Sequence, residues 1–218
     1  MKKVYNVLLA SITCIAFWSY SSAQGGSVPE ILYYQFDGAG TIVTNMASAP
    51  PAGTATGTLM GGMTLGGTGL CGGALIGTGG PSGSDYVNTG WNTNLGTGAW
   101  TIAMWTDNIP SSSTLFYNFG DNTAGSLRCF TNGVAGSGNF QLRGPLTDVL
   151  CNGCAPIGVP SMTVFVYDPT LGNIKAYHDG VLNNTVAQGA LNINGTAPFK
   201  VGGYSTSTGM ASGQLMDE

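Results

Sequence analysis

The chain has 218 residues, of which 43% are hydrophobic and 10% aromatic, enough apolar surface for a packed core and too much for a disordered polymer. Six basic residues and one histidine stand against ten acidic ones, a net charge of −4, so the basic footprint of a nucleic-acid partner is absent.

The first two dozen residues are a leader rather than part of a fold. Lys2 and Lys3 precede an apolar run from Val4 to Trp18, and Ser21, Ser22 and Ala23 supply a small-residue end. This predicts a secretory signal peptide over residues 1–23, cleaved after Ala23. The run is shorter than the roughly 20 apolar residues of a spanning helix, so no membrane insertion is expected after cleavage. Cys14, preceded by Thr13 and followed by Ile15, Ala16, Phe17 and Trp18, belongs to the apolar run. Removing the leader leaves Arg128, Arg143, Lys175 and Lys200 against ten acidic residues, a net charge of −6.

Residues 24–30 form a linker. A first strand is expected over 31–37, with Leu32, Tyr34 and Phe36 on one face. A short strand at Ile42 and Val43 precedes a loop containing Pro50 and Pro51. Residues 57–83 are glycine-rich but lack the Lys-Ser or Lys-Thr of a phosphate loop, and the recurring pairs Leu59-Met60, Met63-Leu65 and Leu75-Ile76 predict short strands with tight turns. The strongest single strand is expected over 99–106, where Trp100, Ile102 and Met104 alternate with Thr101, Ala103 and Trp105. Further strands are expected over 114–119, over 126–130 paired with 139–143, over 187–193 and over 198–204.

The clearest local signal lies between Ser161 and Thr185. Residues 162–167 are β-branched and aromatic, residues 168–173 carry turn chemistry, and 174–178 run into Asp179-Gly180 before Val181 and Leu182. Asp-Gly between two strand-like runs predicts a two-residue type I′ hairpin. No segment sustains a helical period, so the chain is expected to be all-β, a two-sheet antiparallel jelly-roll sandwich of one domain over 31–218.

Cys71, Cys129, Cys151 and Cys154 remain after the leader, an even number in an exported chain, which predicts disulfides. Cys151 and Cys154 flank Asn152-Gly153, and a local loop-stapling disulfide is expected between them. A redox pair or zinc half-site lacks support, because no βαβ pattern surrounds the motif, no second CxxC exists and His178 is the only histidine. Spacing leaves the state of Cys71 and Cys129 open.

The order of motifs resembles the laminin-G-like, or concanavalin-A-like, lectin-glucanase jelly rolls of secreted bacterial surface proteins. The matching residues are Tyr33-Tyr34-Gln35-Phe36-Asp37-Gly38, Gly72-Gly73-Ala74-Leu75 before Asp85-Tyr86-Val87, Trp100-Thr101-Ile102-Ala103-Met104-Trp105, Tyr177-His178-Asp179-Gly180, and Phe199-Lys200-Val201-Gly202-Gly203. Against that pattern, residues 213–218 look like the start of a closing strand that is cut short, which predicts a truncated domain of a longer multidomain protein. The resemblance further implies a non-catalytic module that binds a glycan or an extracellular-matrix or cell-surface ligand, a structural spacer being the alternative. It also implies a structural calcium near the first and last strands, with Asp37 and Asp217 as ligands.

A glycosidase of this architecture needs two carboxylates flanking the bond it cleaves, and the chain's two glutamates, Glu30 and Glu218, lie before the first strand and at the last position. A divergent glycoside hydrolase is therefore disfavoured. His178 falls in phase with Ile174 and Ala176, as a packing residue does, and no nucleophile elbow is present. For sugar binding, aromatic faces and side chains that bond hydroxyls are needed, and Trp91, Trp105, Asp107, Asn108, Asp121 and Asn122 are the candidates.

Overall fold

The computed structural model describes residues 29–79, 84–133, 136–205 and 208–218. The leader over 1–23 lies outside the described residues, as does the linker as far as Val28. The described chain forms strands only: β1 (Ile42–Thr44), β2 (Thr56–Leu59), β3 (Thr64–Thr68), β4 (Gly73–Ile76), β5 (Val87–Gly96), β6 (Trp100–Asp107), β7 (Phe116–Gly120) and β8 (Arg128–Thr131). Then follow β9 (Phe140–Gly144), β10 (Leu146–Cys151), β11 (Ser161–Asp168), β12 (Asn173–His178), β13 (Val181–Ala187), β14 (Ile193–Val201) and β15 (Leu215–Asp217).

They build two antiparallel sheets, one of eight strands in the order β1-β2-β5-β14-β7-β8-β9-β10 and one of seven in the order β13-β12-β11-β6-β15-β4-β3. One apolar core draws on both, with Phe119, Phe140, Leu142 and Ile193 from the first sheet and Leu75, Met104, Phe165 and Met216 from the second. The expected two-sheet antiparallel sandwich is the fold observed.

The hairpins around β12 follow local chemistry closely. Asp168 Oδ1 accepts the Thr170 and Leu171 amides at 2.8 and 3.0 Å, closing the β11–β12 turn. Asp179 and Gly180 take φ values of 48° and 80°, the two left-handed positions of a type I′ turn. Strand β11 alternates without a break between buried and half-buried residues, so its register is fixed by the core.

Three expectations differ from the structure. Residues 31–37 keep Tyr34 and Phe36 buried but join no ladder, because the Asn45 side chain accepts the Tyr33 amide and donates to the Ile31 carbonyl, and Phe36 turns into the left-handed region at φ 55°. Strand β5 runs over residues 87–96, where no strand was expected. Its polar composition and Gly90 at φ 68° disguise it, and its pairing with β14 slips register three times. Strand β14 begins at Ile193, where a separate strand over 187–193 was expected to end. The final strand β15 pairs with both β4 and β6, and Trp100 to Met104 are laddered only on their β11 side among the described residues.

The Cys151–Cys154 disulfide is present, with Cα atoms 5.5 Å apart, inside the usual range for a bridge. Both residues are fully buried. Cys129 is also buried without a disulfide, so it does not pair with Cys71, and burial pushes its thiol pKa well above the ordinary value. Because the bridged loop is short, replacing Cys151 and Cys154 together with alanine should cost about 2 kcal/mol, read from the denaturant midpoint. Gln214, also fully buried, donates to Asn118 Oδ1 of the opposite sheet at 2.6 Å and accepts the Ala211 amide at 3.0 Å. Gln214→Ala strands both partners and should cost roughly 2–3 kcal/mol in the same measurement.

Candidate ligand cleft

Strand β15 places Asp217 directly opposite Trp105 of β6, and Leu215 directly opposite Asp107. Residues so paired have Cβ atoms about 5 Å apart. Between them Thr106 and Met216 point into the sandwich and are buried, so Trp105, Asp107, Leu215 and Asp217 share the outer face of the seven-stranded sheet. Thr68, Leu70 and Pro160 close the sides of a shallow cleft of about 140 Å³ over this quartet. Trp105 and Asp107 are half-buried and open to the cleft, whereas Asp217 is only 4% exposed and forms its floor.

The loop after β3 is shaped to hold Asp217. Asp217 Oδ2 accepts the Leu70 amide at 2.9 Å and the Cys71 amide at 3.4 Å. A Cβ on Gly69 would lie 2.1 Å from the Gly73 carbonyl oxygen and 2.5 Å from Asp217 Oδ2, so only glycine permits this approach. The second carboxylate oxygen, Oδ1, is buried and has no hydrogen-bond partner.

Burial raises the Asp217 pKa to about 6. The negative charges of Glu218 and Asp37 add to the rise, and the Cys71 and Leu70 amides oppose it. An acid whose folded pKa lies above its unfolded value stabilises the fold most when protonated, below about pH 4. That contribution is lost as pH rises through about 6. Asp217→Asn keeps an oxygen for the two amides and removes the buried charge. The variant should be more stable than the parent by roughly 1–3 kcal/mol at pH 8, with the difference closing near pH 4 in paired denaturation curves.

The proposed calcium pair meets its own test here. Asp37 Oδ1 accepts the Gly73 amide at 2.7 Å, and Asp217 is held by the amides of Leu70 and Cys71. Both carboxylates thus cap one turn, each through one of its two oxygens. Among the described residues no group of three or more His, Cys, Asp or Glu converges on a common point. Calcium takes six to eight oxygens, and two carboxylates supply only part of that set.

The sequence candidates separate into three places. Trp105 and Asp107 line the cleft, with Asn108 exposed at its strand end in the left-handed region, φ 54°. Trp91 packs edge-on against Phe199, with ring centroids 5.7 Å apart, and joins the core margin on the other sheet. Asp121 is buried in the turn after β7, bonded to the Thr123 amide at 2.8 Å and paired with Lys200 at 3.1 Å. Its exposed neighbour Asn122 accepts the Tyr204 hydroxyl. His178 is half-buried at the β12–β13 turn, 3.4 Å from Asp179 Oδ2, in keeping with a packing role.

The eight-stranded sheet carries its own aromatic cluster, which the sequence did not single out. Tyr117 and Tyr204 stack at 4.1 Å, Phe130 packs beside them, and the Arg128 and Arg143 guanidinium groups lie 5.6 Å from the Tyr204 and Phe130 rings. All three rings are more than nine-tenths buried, so they form a small second core and offer no stacking surface. The cleft residues Thr68, Leu70, Pro160 and Leu215 were likewise not singled out, because they come together only through the pairing of β3, β4, β15 and β6 and the loops beside them.

No protein-family model matches the chain, and no curated protein matches it. Solved structures do. Domain 4 of AbnA, a GH43 extracellular arabinanase from Geobacillus stearothermophilus, solved in complex with arabinotriose, is similar over 88% of this chain and 93% of that domain, at 16% identity and a TM-score of 0.53. The binding domain of Paraclostridial Mosquitocidal Protein 1 is similar over 80% of this chain and 44% of that one, at 11% identity and a TM-score of 0.55. The receptor binding domain of botulinum neurotoxin D is similar over 84% of this chain and 48% of that one, at 10% identity and a TM-score of 0.54. The chain thus spans less than half the length of either toxin domain. At these identities the likeness is one of fold alone, a β-sandwich. No described helix is long and apolar enough to cross a membrane.

Proposed function

We propose that this β-sandwich is a non-catalytic, secreted or cell-surface lectin-like module that binds carbohydrate, the laminin-G-like or concanavalin-A-like class being the one its motifs resemble. The observation that carries the reading is the half-exposed Trp105 standing beside Asp107 and Asp217 in one cleft. An aromatic face stacks on the apolar side of a sugar ring, and carboxylates accept its hydroxyls. The cleft is well below the roughly 300–1,000 Å³ of a drug-sized pocket, which suits one sugar unit with the remainder of the glycan outside. Similarity of fold to the arabinotriose-bound arabinanase domain supports the same class of ligand. Attachment to a larger surface protein, with a role in adhesion, completes the reading.

The test is a glycan array probed with the full chain, with and without a calcium chelator, followed by titration of the hits. At least one glycan should bind, and Trp105→Ala should weaken it about tenfold or more, the effect of removing a central aromatic anchor worth about 1.4 kcal/mol or more. Silence across the array in both conditions would sink the lectin reading and leave the structural spacer.

A further inference from the structure

The geometry points to a neutral sugar as the ligand of the Trp105 cleft, with carboxylate-bearing sugars rejected; this rests on the glycan-binding reading above. Three observations carry it. Asp217 is more than nine-tenths buried on the cleft floor, and while Oδ2 is held by the Leu70 and Cys71 amides, Oδ1 has no donor among the described residues. A buried acceptor left in that state calls for a partner that the described residues do not supply. Asp107 supplies a second carboxylate in the same cleft, with its Oδ1 accepting the Asn108 amide at 2.6 Å. Finally, among the described residues no lysine, arginine or histidine lines the cleft.

Two acceptors without a cation select for donors. Sugar hydroxyls can donate to both carboxylates while the ring rests on Trp105, each bond being the charge-assisted kind. A sialic or uronic acid carboxylate would add a third negative charge at short range, with no cation to offset it. The chain's other arginines do not help, because Arg128 and Arg143 sit on the opposite sheet over the Tyr204 and Phe130 rings.

The deciding experiment is calorimetric titration of the full chain at pH 7.5 and 150 mM salt with lactose, arabinotriose, 3′-sialyllactose, trigalacturonate and glucosamine, alongside an array sorted by charge. Neutral glycans should bind at least tenfold more tightly than their acidic counterparts. Asp217→Asn should weaken neutral binding about tenfold, Asp107→Asn should narrow the neutral-to-acidic gap, and Trp105→Tyr should retain most affinity where Trp105→Ala does not. Denaturation midpoints show that each variant is folded.

Acidic glycans binding as tightly as neutral ones, with that binding abolished by Trp105→Ala, would overturn the neutral selectivity and leave the glycan-binding function standing. A tenfold preference for glucosamine over neutral sugars overturns it in the same way. Binding that ignores both Trp105→Ala and Asp217→Asn puts the ligand elsewhere and overturns the cleft, and no binding to any glycan overturns the function as well.

Discussion

The three-residue pairing of β15 between β6 and β4 is the constraint on which the rest of the seven-stranded sheet depends. Without Leu215, Met216 and Asp217, β4 and β3 would have no ladder to β6, and the sheet would divide into two parts. So short a strand cannot hold itself by backbone bonds alone. It is fixed by Met216 in the core, by Gln214 reaching across to Asn118 of the other sheet, and by Asp217 bonded to the turn before β4. The same three anchors set the cleft, because they leave Asp217 facing outward beside Trp105. Stability of the sheet and construction of the site therefore share one element.

How far this was legible in the sequence follows from how local each interaction is. The β11–β12–β13 hairpins could be read directly, since Asp168, Asp179 and Gly180 act on amides and dihedrals within a few residues. The central strand β6 was equally clear from its alternation, and the Cys151–Cys154 bridge from its spacing. Strand β5 was not, because its ten residues include Gly90, Asn92 and Asn94, and its pairing with β14 is interrupted by bulges. The opening stretch over 31–37 carried the right alternation but the wrong partner, since the Asn45 side chain took the place of a neighbouring strand.

The site was legible only in part. Trp105 and Asp107 stood out as an aromatic and an acid at a strand end, and they do line the cleft. Asp217 was read as a calcium ligand from its acidity, and its amide partners on the loop before β4 were not visible. Its true neighbour, Trp105, is more than a hundred positions away in the chain, a contact that only sheet register creates. Trp91 and Asp121 illustrate the converse: each has the right chemistry for a ligand, and each is committed to its own fold by Phe199 or by Lys200.

The two sheets differ in what their outer faces leave exposed. On the eight-stranded sheet Tyr117, Phe130 and Tyr204 are buried against one another, and Arg128 and Arg143 lie over the Tyr204 and Phe130 rings. The seven-stranded sheet offers one open indole and two carboxylates. Of these, Asp217 is the costly one, because it is desolvated with one oxygen unanswered and its charge weakens the fold above about pH 6. A turn-capping role needs only one of its oxygens and would be served as well by an uncharged asparagine. What the carboxylate adds is a strong acceptor aimed where no protein donor reaches, which is the kind of local cost that a binding site offsets when its ligand arrives.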